Sequence, residues 1–154
     1  QAKKYVYIFT PYLIVDDVMR NALCTAAKRG VDVRIVTPAI PDKPTIFRLT
    51  RSNYPPLLRA GIRIFEYTPG FIHAKSYICD DEFGVVGSVN MDFRSLYLHF
   101  ECATLLYRTS GLEELKKDSL ETIAASREIT LKDCKQGIIG GLFDSVLRVF
   151  APLC

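Results

Sequence analysis

Phe71-Ile72-His73-Ala74-Lys75 leads through Asp80 to Gly87-Ser88-Val89-Asn90, and the rest of the chain is organised around this stretch. Side chains alternate faces along an extended strand, so a strand here turns His73 and Lys75 the same way. An imidazole beside a fixed cation suits attack on a phosphate. The cation neutralises oxygen charge while the imidazole exchanges a covalent bond or a proton with the phosphoryl group. Ser88 and Asn90 are again two residues apart, and offer a hydroxyl and an amide as donors to the same group. Each residue alone has an ordinary explanation: a surface histidine, a solvated lysine, a turn aspartate. The joint spacing H-x-K-x4-D-x6-G-S-x-N is what points to a site.

Composition bounds the alternatives. The 154 residues are 49% hydrophobic and 24% charged, which describes a globular chain long enough to bury a real core. A net charge of +3 permits an anionic substrate but supplies no basic groove of the kind nucleic acid requires. The five cysteines are odd in number and lack C-x-x-C spacing, which predicts buried free thiols over disulfides or a metal site. No signal peptide opens the chain, and no apolar run reaches the roughly 20 residues a spanning helix needs. The chain does not begin with Met and already reads as a strand from Lys3 to Phe9, which predicts a piece of a larger protein.

Strands and helices alternate. Tyr5 to Phe9 reads as a buried strand ended by Thr10-Pro11-Tyr12. Val15, Val18, Met19, Ala22, Leu23, Ala26 and Ala27 have helical spacing, with Asp16 and Asp17 at the N-terminus and Gly30 closing the helix. Val31 to Val36 is a second strand, so the run is βαβ and predicts a parallel pair. Thr45 to Ala60 reads as helix interrupted at Pro55-Pro56, and Ile62 to Phe65 as a third strand. Lys75 to Cys79 and Phe83 to Gly87 read as a hairpin, and His99 to Tyr107 as a further strand after an irregular link. Gly111 to Ala125 is an amphipathic helix with Leu112, Leu115, Ser119, Leu120 and Ile123 inward. The predicted fold class is α/β, a mixed β-sheet flanked by helices, spanning residues 1–154 as one domain with an amphipathic tail over 130–154.

The central motif resembles the HKD motif of the phospholipase D superfamily. Thr10-Pro11-Tyr12, Gly70 to Lys75, Asn90-Met91-Asp92-Phe93-Arg94-Ser95 and Phe100-Glu101 further resemble the second half of bacterial cardiolipin synthases, nearly end to end. The resemblance implies an α/β sandwich that is one half of a two-domain enzyme. It implies that His73, Lys75, Asp80 and Glu101 are the catalytic set, with Lys75, Ser88 and Asn90 on the substrate phosphate. Glu101 would hold the imidazole, fixing its tautomer as the acid of a triad does. Asp80 would fix the loop, Arg94 and Asp92 would pair behind the site, and His99 has no lysine partner.

Family enzymes carry two HKD motifs facing one pocket, and this chain has one. The resemblance therefore implies a partner, either the first HKD half of the full-length protein or a second copy of this chain. The implied reaction is ping-pong phosphatidyl transfer between two phosphatidylglycerol molecules, giving cardiolipin and glycerol without cofactor or metal. Phosphatidylglycerol, other anionic phospholipids and a membrane surface are the implied partners, and nucleic acid is not. The implied location is the cytoplasmic side of a bacterial membrane. In the tail, Ile138, Ile139, Leu142, Phe143, Val146, Leu147 and Phe150 form one stripe, suited to a bilayer interface or to packing on protein. Gly137, Gly140 and Gly141 weaken such a helix. A homodimeric nuclease of the same superfamily and a silent lipid-headgroup-binding module are the competing readings.

Overall fold

The computed structural model describes residues 2–134; the predicted tail stripe lies outside the described residues, as does Cys154. Seven strands form one mixed sheet in the order β6-β5-β4-β1-β2-β3-β7. Strand β1 (Tyr5–Phe9) pairs in parallel with β2 (Asp32–Pro38) after the crossover helix α1 (Asp17–Lys28), as the βαβ pattern predicts. Two helices, α2 (Pro44–Ser52) and α3 (Tyr54–Arg59), lead to β3 (Arg63–Tyr67), parallel to β2. They are separate because Pro55 and Pro56 lack the N–H an internal turn needs and sit instead in the first turn of α3. Strand β4 (Ser76–Cys79) runs antiparallel beside β1, followed by β5 (Phe83–Gly87) and β6 (Ala103–Tyr107). Helix α4 (Gly111–Ala124) then carries the chain to β7 (Ser126–Ile129), antiparallel to β3.

Both faces of the central strands are buried. Ile8, Val33, Ile35 and Ile64 pack under Leu23 of α1 and Leu57 of α3, while Tyr7, Phe9, Phe65 and Ile78 pack under Leu112 and Ile123 of α4. Such strands read as continuous apolar runs, which is why β1 and β2 were visible in the sequence. Burying each of the Ile, Leu, Val and Phe side chains among these contributes about 1.5–3 kcal/mol.

Several boundaries differ from the sequence expectation, each for a local reason. Helix α1 begins after Asp16, whose carboxylate accepts the Met19 N–H at 2.7 Å; Val15 is buried before the helix, and Val18, 76% exposed, points to solvent. In α4, Leu120 is exposed while Leu112, Ser119 and Ile123 face the core. Lys75 lies outside β4, and His99 to Cys102 lie outside β6. The Arg94–Leu98 link is a π-helical turn. Strand β7 was not expected, since Ser126-Arg127-Glu128-Ile129 has one apolar residue and pairs along one edge only. The four described cysteines are free thiols, but none is fully buried and Cys102 is exposed.

The topology fixes where a site can form. Phe9, the last residue of β1, stands opposite Ser76, the first of β4, and Ser76 stands opposite Val86 near the end of β5. The loops carrying residues 10–16, 39–43, 68–75 and 88–102 therefore meet at the carboxyl ends of the parallel strands. In open α/β sheets ligands bind at that end.

Candidate active site

His73 sits in the loop entering β4, not in a strand, so its orientation comes from contacts and not from strand alternation. Its ring stacks on Phe71 at 5.6 Å and meets the edge of Tyr12 at 6.3 Å. Tyr12 is itself tied down, its hydroxyl donating to Asp42 at 2.5 Å. Burial and the Asp42 charge raise the Tyr12 pKa to about 12, so the phenol stays protonated. Partial desolvation of the His73 ring holds its pKa below the ordinary histidine value, the Lys75 cation adds to this and Asp42 opposes it. At neutral pH the imidazole is therefore uncharged. Lys75 donates from Nζ to the His73 carbonyl at 2.8 Å, which brings the cation back beside the histidine. Burial lowers the Lys75 pKa, against the attraction of Glu101 and Asp92.

The second half of the motif is clamped from three sides. Thr10 Oγ1 accepts the Met91 N–H at 3.0 Å, Ile14 N–H donates to Met91 O at 2.8 Å, and Tyr77 donates from its hydroxyl to Val89 O at 2.8 Å. Gly87 has no room for a side chain: a Cβ would lie 2.3 Å from Cys102 O and 2.6 Å from Ala103 Cα. This contact explains the glycine of the motif, because it lets Ser88 N–H reach Cys102 O at 2.9 Å. The Ser88 Oγ then accepts the Cys102 N–H at 3.0 Å and donates to the Glu101 carboxylate.

That last bond corrects an expectation. The Glu101 carboxylate is engaged by Ser88, and its pKa is held below the usual range first by Ser88 and then by Ser95. Among the described residues His73 has ring contacts but no hydrogen bond to Glu101. Asp80 is not at the site. It lies at the opposite end of β4, where its carboxylate accepts the N–H groups of Lys3, Lys4 and Tyr5 at 2.6, 2.9 and 2.8 Å. Burial pushes its pKa up, and these three N–H groups with the Lys4 charge outweigh that and leave it lowered. Asp92 and Arg94 form no ion pair: Asp92 is buried and accepts the Ser95 N–H at 2.8 Å, while Arg94 is exposed.

Beside His73, and sharing Tyr12 with it, is a cleft of about 300 Å³ lined by Tyr12, Lys43, Asn90, Asp92, Arg94 and His99. Asn90 thus faces the cleft wall, though its amide oxygen is buried and unpartnered among the described residues. Sequence reasoning missed Asp42, Lys43 and Tyr77; only the spatial meeting of distant loops marks them. Among the described residues no three His, Cys, Asp or Glu gather as a metal site, and no helix is long and apolar enough to cross a membrane. The arrangement can present a neutral imidazole and a cation to a phosphate, with Ser88 held alongside.

Residues 1–121 match the family model described as cardiolipin synthase, PLD-like domain. An uncharacterized protein of Streptococcus mutans is 51% identical over 99% of this chain and 33% of its own length. Cardiolipin synthase 2 of Bacillus anthracis is 40% identical, and the cardiolipin synthase of Alkalihalophilus pseudofirmus 41%, each over 99% of this chain and 30% of theirs. The chain thus spans about a third of the length of these relatives. Among solved structures, the phospholipase D family member Nuc from Salmonella typhimurium superposes with a TM-score of 0.72 at 20% identity, covering 84% of each chain. Phosphatidylserine synthase from Haemophilus influenzae gives 0.71 at 18% identity, over 99% of this chain and 40% of that one.

Proposed function

The chain belongs to the cardiolipin synthase family of phospholipase D-like domains, and on that premise we propose that it supplies one of two half-sites for phosphatidyl transfer. The observation that carries the reading is the position of His73 beside the Lys75 ammonium at the carboxyl end of the parallel strands, where Nζ donates to the His73 carbonyl at 2.8 Å. The lowered pKa favours the unprotonated ring, whose lone pair a nucleophile needs, and on that ground His73 is taken as the nucleophile. In the proposed first step the imidazole attacks the phosphorus of phosphatidylglycerol. The P–O bond to glycerol breaks, and a second histidine from the completing half gives its proton to the departing glycerol oxygen. In the next step the glycerol hydroxyl of a second phosphatidylglycerol loses its proton to that same histidine and attacks phosphorus. The P–N bond breaks and His73 is restored, so two phosphatidylglycerols become cardiolipin plus glycerol.

Lys75 serves the equatorial oxygens, where charge builds up in the transition state. Ser88 and Asn90 belong to the same phosphate-binding group, and Glu101 acts on it through Ser88. Asp80 serves the fold. On this reading the substrates are membrane lipids and the reaction runs at a membrane surface; the cytoplasmic side is part of the proposal.

The test is to mix the longer protein that carries these residues with headgroup-intact phosphatidylglycerol bearing a labelled phosphate, and to quench in acid-avoiding conditions that keep phosphohistidine. Label on the peptide holding His73, lost in His73→Ala, is the expected result. Label on another histidine, with His73→Ala still labelled, would assign His73 the acid role instead. Full turnover by His73→Ala overturns the reading.

A further inference from the structure

Resting on that half-site reading, we infer that the cleft beside His73 holds the headgroup of the second phosphatidylglycerol, with Lys43 and Arg94 on its phosphate and Asp92 on its glycerol hydroxyls. The proposed reaction brings two anions to one place. The first phosphate is attacked by His73 beside Lys75. The second stays intact one glycerol away, and its charge has to approach the first. Two like charges repel at that range, and Lys75 is a single cation already turned to the His73 carbonyl. The second phosphate therefore calls for cations of its own.

The cleft stands at the right distance. Its volume of about 300 Å³ is at the small end for ligand sites. Tyr12 divides it from the imidazole: the His73 ring centre lies 6.3 Å from the Tyr12 ring centre and Lys43 Nζ lies 5.9 Å from the same point, which keeps ammonium and imidazole within about 12 Å of each other. The two phosphorus atoms of the product are separated by six bonds through its central glycerol, roughly 7 Å at ~1.5 Å per bond. A phosphate on Lys43 thus leaves its glycerol hydroxyl within reach of the phosphorus on His73. Asn90, already assigned to the first phosphate, also lines the cleft, so the two subsites share a wall.

The lining selects the chemistry. Lys43 and Arg94 are exposed, and neither has an ion-pair partner among the described residues. The nearby Asp42 carboxylate is taken by the Tyr12 hydroxyl and the Lys43 N–H. Lys43 also precedes the first turn of α2, which no side chain caps; Ile46 of that turn lines the cleft, so the positive end of the helix reinforces the ammonium. Asp92 gives one carboxylate oxygen to the Ser95 N–H at 2.8 Å, and among the described residues the other has no hydrogen-bond partner and is not sealed from solvent. A carboxylate repels a bare phosphate but accepts readily from a hydroxyl. Cations together with an open acceptor therefore describe a polyol phosphate, not a simple anion. His99, which the motif leaves without a task, lines the same cleft.

The experiment uses the longer protein and phosphatidylglycerol vesicles supplied with labelled glycerol, so that one donor faces two acceptors. Cardiolipin reports transfer to the anionic acceptor. Labelled phosphatidylglycerol reports transfer to neutral glycerol, which carries no second phosphate. Lys43→Gln is expected to lower cardiolipin formation at least tenfold more than glycerol incorporation, Arg94→Gln to shift the ratio the same way, and Lys43→Arg to restore it. Equal loss of both products, or an unchanged ratio in both Gln variants, overturns the proposal. His73→Ala should abolish both products; if it keeps them, the functional reading fails while the product ratio still judges the cleft. If the parent forms neither product, that reading fails as well, and calorimetric binding of glycerol 3-phosphate decides. Affinity reduced at least fivefold by Lys43→Gln upholds the polyol-phosphate site, and absent or equal binding overturns it. Lys43-dependent binding with an unchanged product ratio would make the occupant a soluble polyol phosphate and overturn the acceptor assignment.

Discussion

The two ends of β4 carry residues of one sequence motif and put them to opposite uses. At the start of the strand, His73 and Lys75 are held by ring contacts and one backbone carbonyl, with their charges shifted and their reactive atoms open. At its end, Asp80 takes a left-handed backbone conformation (φ 55°) and spends its carboxylate on three N–H groups of the first residues of the chain. A motif in a sequence is thus not a list of chemical groups. One end of this motif holds the residues proposed for the reaction and the other ties the N-terminal segment to the sheet.

The comparison predicts that changes at the two ends separate cleanly. His73→Ala in the longer protein should lower phosphatidyl transfer by at least 10³-fold, with the melting temperature unchanged, because the side chain makes no hydrogen bond that the fold needs. A tenfold loss or less would place His73 outside the chemistry.

Lys75→Met should lower transfer by about 10²-fold, the usual scale for removing one charge-stabilising group. It should also move the pH profile. In the proposed mechanism transfer uses the neutral imidazole, so the rate should fall as pH drops through the His73 pKa, which lies below the ordinary value of about 6.5. Removing the neighbouring cation lets that pKa rise, and the acid limb of kcat/KM should move toward neutral pH. A limb that stays in place would show that desolvation alone sets it.

At the other end the readout is stability. Asp80→Ala should cost about 1–3 kcal/mol, since three backbone donors lose their acceptor, while transfer per folded molecule stays within twofold. Chemical denaturation gives the first quantity and titrated active protein the second. A large loss of turnover at full stability would return Asp80 to the catalytic set.

Asp80→Asn is the smallest change, because asparagine accepts left-handed φ and keeps one acceptor oxygen. Its effect should vary with pH. The carboxylate pKa is lower folded than unfolded, so its contribution is complete above the unfolded value of about 3.9 and fades as pH falls through the folded one. Parent and Asp80→Asn stability should therefore converge in acid and differ most near neutrality.

The site was legible in part because its central residues lie close together in sequence. His73, Lys75 and Ser88 flank the β4–β5 hairpin, and hairpin geometry alone brings its two ends to one place. Glu101 was expected on the imidazole, yet it meets Ser88, because Gly87 lets the Cys102 backbone approach and that approach sets Glu101 beside the serine hydroxyl. Spacing between Glu101 and His73 carries no information about such a contact.

By itself the sequence determined the strands and helices that bury both faces, because period and apolar run length follow from backbone geometry: β1 from Tyr5 to Phe9, the βαβ crossover, the hairpin, and α4. It also determined the spacing of the half-site motif. Tertiary structure alone decided that Asp42 steadies Tyr12 against His73, that β7 completes one sheet edge with a single apolar residue, and that Leu105 and Tyr107 of β6 stay exposed. Each of these depends on residues far apart in the chain meeting in space. Local pattern records which residues seek burial; only the packed sheet determines which of them find it.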